Sequence, residues 1–335
     1  MAPHSLRVFP PYAEDRNHPS GRVRRPAQPR RAPNGTAESY SSRMRTTIRG
    51  TALATLGVAL LITTACAPRD EADDTASDSG ASAAAGDCEK DGLDTYSEGV
   101  LTVATDNPAY EPWFVDNDPA NGKGYESAVA YAIADELGFA ADEVEWAKVP
   151  FNAVVSPGEK KFDFDVNQVS ITPARAKAVD FSSGYYDVRQ VVVTTTGSPL
   201  DGATSVAELQ DARLGAQVGT TSYTAITDQI QTSEQAAPFD TNDQAVQALN
   251  NGQIDGIVVD LPTAYFMTAV QLDKGVIVGQ LPQAGDEVEQ FGAVLDLGSP
   301  LTACVSQAVD TLRDDGTLAE LEDQWLAQQG APELS

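Results

Sequence analysis

From Val100 onward, short β-branched strands alternate with amphipathic helices, and the alternation runs through two cycles. That pattern restricts the chain to an α/β fold. "VLTVAT" (100–105) reads as a strand. The segment "GYESAVAYAIADELGF" then puts Val129, Ile133 and Leu137 on one helical face and stops at Gly138. "DEVEWAKV" and "FDFDVNQVSI" follow as strands, and "VRQVVVTTTGSP" is a long β-branched run closed by Gly197, Ser198 and Pro199. The second cycle contains "LGAQVGTTSYTAITDQI" and "NDQAVQALNNGQIDGIVVDLPTAYFMTAV". "EQFGAVLD" is a last strand, and two helices joined at Gly316 close the chain. About 240 residues in two such cycles exceed what one compact core needs, so two lobes are expected.

The residues before this region have a different character. Residues 1–43 are rich in Arg and Pro without apolar periodicity, which implies disorder or an over-long start. Met44 opens an export-signal pattern: "MRTTIRG", then the uncharged apolar run "TALATLGVALLITTA" (51–65), then Cys66. The run is short for a membrane-spanning helix. "TTAC" resembles a lipobox with Thr63 in place of the usual Leu, so Cys66 is expected to be lipidated after cleavage. An ordinary signal peptide with a chance cysteine is the alternative. Residues 66–95 would then be an acidic, flexible tether.

Export changes the chemistry available. Residues 1–65 hold ten of the 22 basic residues and three of the 49 acidic ones, so the remainder has 12 basic against 46 acidic residues, a formal charge of −34. Such a surface repels nucleic acid. Both histidines, His4 and His18, lie in the removed part. A Ser-His-Asp or Cys-His catalytic arrangement and a histidine-ligated zinc site are thereby excluded from the mature chain. In an oxidising compartment Cys88 and Cys304 are expected to form one disulfide; two unpaired buried thiols are the other reading. The bond would staple the start of the folded region to its end. Lobe one is therefore expected to comprise 96–192 and 289–335, with lobe two (193–288) inserted and two crossing strands as a hinge.

Arg175 follows a Thr172-Pro173 turn. A cation at a helix start is mildly opposed by the helix dipole, so the arginine is either a solvated charge or is aimed at a carboxylate. Its surroundings, "SITPARAKAVDFSSGYY", carry a resemblance, together with "LTVATD", "LGAQVGTT", "IDGIVVDLPTAYF" and "LRDDGTLAELEDQW" in that order. From about Leu101 to Gln328 the chain resembles the extracellular solute-binding proteins of ABC importers, in the polar amino acid-binding group (solute-binding protein family 3).

The resemblance implies a two-lobed, periplasmic-binding-protein-like clamshell of type II with the ligand in the cleft. It implies that Arg175 holds the ligand's carboxylate, with a planar fork of donors that a lysine does not match. Ser170 and Thr221 would help, Thr221 at a helix N-terminus. Asp260, at the carboxyl end of its strand, would take the ammonium. Tyr110 and Phe151 would sandwich the aliphatic part, and Asp106 would contact the polar end of the ligand. Gln168 and Gln217 fall at variable contact positions and lean toward a polar side chain. By residue type alone, Tyr110 and Phe151 are core, Gln217 is an edge-strand surface residue, and Asp260 before Leu261-Pro262 is a helix N-cap.

The implied function is capture of an amino acid and delivery to permease subunits with a separate ATPase, by a monomer lipid-anchored at the outer face of the cell membrane. No cofactor, metal or catalytic residue is expected, and the chain lacks a phosphate-binding "GxxxxGK[ST]" loop. An alternative on the same fold is a cyclohexadienyl dehydratase-like enzyme using Asp106 and Asp260 for acid-base work. A sensor without a transport role is a third reading.

Overall fold

The computed structural model describes residues 88–285, 288–326 and 330–335. The signal pattern, Cys66 and most of the tether lie outside them. Lobe one begins with β1 (Leu101–Thr105), whose five residues are all buried, followed by α1 (Tyr125–Glu136), β2 (Val144–Lys148), the single turn α2 (Phe151–Val154) and β3 (Phe164–Asp165). β4 (Asp180–Asp187) completes this stretch. The chain crosses at Val188 and Arg189 into β5 (Gln190–Thr195), which lies wholly in the second sheet.

Lobe two continues with β6 (Leu214–Gln217), α3 (Thr221–Ala225), β7 (Ala237–Phe239) and α4 (Asn242–Asn250). β8 (Gly256–Asp260), α5 (Leu261–Phe266) and β9 (Gly275–Gln280) follow. β10 (Gln290–Leu295) returns to lobe one, with α6 (Thr302–Asp314) and α7 (Thr317–Trp325) after it. The two five-stranded sheets have orders β2-β1-β3-β10-β4 and β7-β6-β8-β5-β9. In each, the first three strands are parallel and the return strand is antiparallel, β10 in one and β5 in the other. The α/β, two-lobed expectation holds.

The crossings run side by side: the Val188 N–H donates to the Glu289 carbonyl at 2.7 Å and the Leu281 N–H to the Gln190 carbonyl at 2.8 Å. Lobe one packs around Trp113, whose ring meets Tyr125, Tyr186 and Phe291 edge-on at centroid distances of 5.4 to 6.1 Å. Cys88 and Cys304 are bonded, with their Cα atoms 5.3 Å apart, and Cys304 sits in the lobe-one core on α6. The staple expected from export chemistry is present.

Three local expectations differ. Cys88 and Leu93, expected within the flexible tether 66–95, pack against the lobe-one core. "FDFDVNQVSI" is a continuous strand only at Phe164 and Asp165, with Ser170 in an isolated bridge to Phe291, because Gln168 between them turns to φ 49°, outside the extended region. Residues 330–335, expected with lobe one, pack on lobe two instead. Gln280 of β9 donates from its N–H to the Pro332 carbonyl and accepts from the Leu334 N–H, and Leu334 is buried in the lobe-two core. Gly279 makes room for them, since a Cβ there would come within 2.7 Å of the Pro332 carbonyl oxygen.

Candidate ligand-binding site

One cavity lies between the lobes at the carboxyl ends of their strands, where ligands bind in open α/β sheets. With its solvent-open mouth the space measures about 650 Å³. Asp106, Tyr110, Phe151, Gln168, Arg175, Gln217, Thr221 and Asp260 all line it. Ser170 is buried just behind, its hydroxyl 3.1 Å from the Thr221 hydroxyl across the cleft.

Arg175 leans over the Phe151 ring, 5.4 Å from its centroid. Its Nη1 donates to the Ser170 carbonyl at 2.7 Å and its Nη2 to the Gly219 carbonyl of lobe two at 2.9 Å. A guanidinium has five N–H donors, so these bonds orient the fork without exhausting it. Burial lowers its pKa from the usual range, opposed by the Glu289 and Asp260 charges. Phe151 belongs to a small core cluster with Val154, Val169, Val179 and Val294, so it is core and cavity wall at once.

On the lobe-two side, Thr220 caps α3 by accepting the Tyr223 N–H, and Thr220, Thr221 and Ser222 all line the cavity at the helix's amino end. Asp260 sits in the N-cap position before α5, yet its side chain makes no cap hydrogen bond. It accepts from Gln190 Nε2 at 2.9 Å, and Ser222 fixes that amide by donating to Gln190 Oε1 at 2.7 Å. Burial first, then the Glu289 charge, push the Asp260 carboxyl up to about 8. On lobe one, Asp106 accepts the Phe151 N–H at 3.3 Å and its own neighbour's N–H at 2.6 Å. Burial and the Asp243 charge of lobe two push the Tyr110 hydroxyl up to about 12.

The sequence reading missed several members. Asn167, Asn242 and Thr263 also line the cavity, and Trp113 Nε1 donates across the cleft to the Thr263 hydroxyl at 2.9 Å. Gln190 had a visible signal, a lone amide opening a β-branched run. Among the described residues, no group of three or more His, Cys, Asp or Glu is placed to hold a metal ion.

The profile of "Bacterial extracellular solute-binding proteins, family 3" matches residues 101–328. ABC transporter arginine-binding protein 1 of Escherichia coli (strain K12) is 27% identical over 232 residues, covering 68% of this chain and 89% of that protein. The L-cystine-binding protein TcyJ of the same strain is 26% identical over 231 residues, covering 68% and 82% respectively. A crystal structure of an ancestral amino acid-binding protein, described as a precursor of cyclohexadienyl dehydratase, superposes with a TM-score of 0.56 at 29% identity, covering 68% of this chain and 95% of that one. With its profile match spanning both lobes, this chain belongs to the bacterial extracellular solute-binding proteins, family 3.

Proposed function

We propose that this chain, extracytoplasmic by family, captures an amino acid between its lobes and presents it to the permease of an ABC importer. In this reading Arg175 takes the α-carboxylate with Ser170 and Thr221, and Asp260 takes the α-ammonium. Tyr110 and Phe151 enclose the aliphatic part, while Asp106, Gln168 and Gln217 face the side chain. Cys66 would anchor the chain by lipid to the outer face of the membrane, and a separate subunit would hydrolyse ATP.

The observation that carries the ligand class is the charge layout. Among the described residues lining the cavity, Arg175 is the one cation, against the carboxylates Asp106 and Asp260. A carboxylate and an α-ammonium balance Arg175 and Asp260 and leave Asp106 over. The ligand that complements this set therefore carries a second, distal, positively charged N–H group, as arginine, lysine and the far end of cystine do. The test is calorimetric titration of the purified protein with the common amino acids, cystine and citrulline. Tight binding of a distal-cation ligand, with citrulline much weaker than arginine, supports the reading; preference for an acidic or aliphatic amino acid overturns the class.

The dehydratase reading has in its favour two carboxyls lining one cavity, Asp106 and Asp260, the latter pushed up to about 8 by burial. Water elimination from a carboxylated ring substrate by the same preparation would establish it.

A further inference from the structure

Glu126, in the first turn of α1, is fully buried behind the cavity and does not line it. Its carboxylate meets only donors. One oxygen accepts the Gln168 backbone N–H at 2.6 Å and the Tyr185 hydroxyl at 2.5 Å. The other accepts the side-chain Nε2 of the same Gln168. A single buried carboxylate thus grips one residue by both its main chain and its amide, at the position where the backbone turns to φ 49°. Above about pH 7, where Glu126 is ionised, its carboxylate accepts and does not donate, so it selects the nitrogen end of a planar amide, and the titrations that test this are run on that side. Gln168 lines the cavity, and with Nε2 on Glu126 the oxygen is the end of its amide that Glu126 does not hold.

We propose that Glu126 is a positioning residue for ligand selectivity: it holds Gln168 so that this side chain offers the ligand an acceptor and no donor. Parallel register pairs Ala104 with Asp165, so Asp106 and Gln168 leave the ends of adjacent strands on the same lobe. These two side chains together offer acceptors, matched to distal N–H groups and mismatched to a distal carbonyl. The inference rests on the distal-cation reading of the pocket and adds the residue that sets its polarity.

Glu126→Gln tests it. A glutamine there has a donor where the carboxylate had an acceptor, so the Gln168 amide turns over and aims Nε2 at the ligand. The dissociation constant of the tightest distal-cation ligand is expected to rise roughly ten- to hundredfold, as for a lost hydrogen bond to a charged group. The swapped double variant Glu126→Gln/Gln168→Glu returns an acceptor to the cavity and is expected to recover wild-type affinity. An undamaged Kd in Glu126→Gln overturns the inference while leaving the ligand class intact. So does weakening that the swap does not repair, because that is a packing defect. A wild-type protein that binds no distal-cation ligand overturns the class and this inference with it. Should Glu126→Gln fail to fold, Gln168→Met leaves Glu126 in place and removes the acceptor; unchanged affinity there is equally fatal.

Discussion

The Arg175 guanidinium on lobe one donates to the Gly219 carbonyl on lobe two across 2.9 Å, while its other terminal nitrogen holds Ser170 of its own lobe. One side chain therefore spans the cleft and faces the space where a carboxylate would sit. On the proposed reading, replacing it removes a ligand contact and a tie between lobes together. Arg175→Ala is expected to cost roughly 2–5 kcal/mol of ligand affinity, the range for truncating one partner of a desolvated charge pair. Arg175→Lys should not restore it, since a point charge cannot bond two acceptors in one plane. Calorimetry on the three proteins decides; wild-type affinity in either variant removes Arg175 from the carboxylate site.

Gly219 lies where the lobes approach each other. It adopts φ +81°, and a Cβ there would lie 2.6 Å from Asn152 Oδ1 on the opposite lobe. The backbone strain of Gly219→Ala costs about 1–2 kcal/mol in any state of the cleft, whereas Asn152 is exposed and its amide can swing to another rotamer. The variant is therefore expected to lose thermal stability by about that amount while ligand affinity changes by no more than roughly threefold. Thermal melts and calorimetry check it. An affinity loss well beyond that, repaired by Asn152→Ala in the same chain, would show instead that the Asn152 contact resists closure.

These contacts show which parts of the molecule local sequence could reveal. The fold was legible because strand and helix periodicity is written within a dozen residues, and the Cys88–Cys304 bond because redox context leaves few options for two cysteines. Asp260 was legible by its place at a strand end, although only the structure shows its carboxylate turned to Gln190 rather than capping α5. The strand at "FDFDVNQVSI" was over-read because the turn at Gln168 is held by Glu126, 42 positions away. The Trp113–Thr263 bond joins residues 150 apart, and no window along the chain contains both. Leu334 reads as an ordinary terminal leucine until lobe two is there to bury it.

With Asp260 as the proposed ammonium site, its buried carboxyl predicts a pH dependence of ligand binding in a definite direction. Its environment comprises the Gln190 amide that donates to it, the Glu289 and Glu126 charges that raise it, and the Arg175 charge that lowers it, with burial the largest effect. In the folded protein it keeps its proton up to about 8, whereas in the unfolded chain an aspartate loses it near 4. The ligand-free fold therefore holds the extra proton between those values, and this group's contribution to stability falls as pH rises through the folded pKa. An α-ammonium beside Asp260 favours the ionised form, so binding expels the proton. Affinity should consequently rise with pH by up to about tenfold per unit below 8, then level off. Glu126, which burial pushes up to about 7, titrates in the same window, so the Asp260 share is isolated by comparison with Asp260→Asn. That variant should bind more weakly at about pH 8 and show a shallower slope below it. Equal slopes in wild type and variant would place the ammonium elsewhere in the cleft.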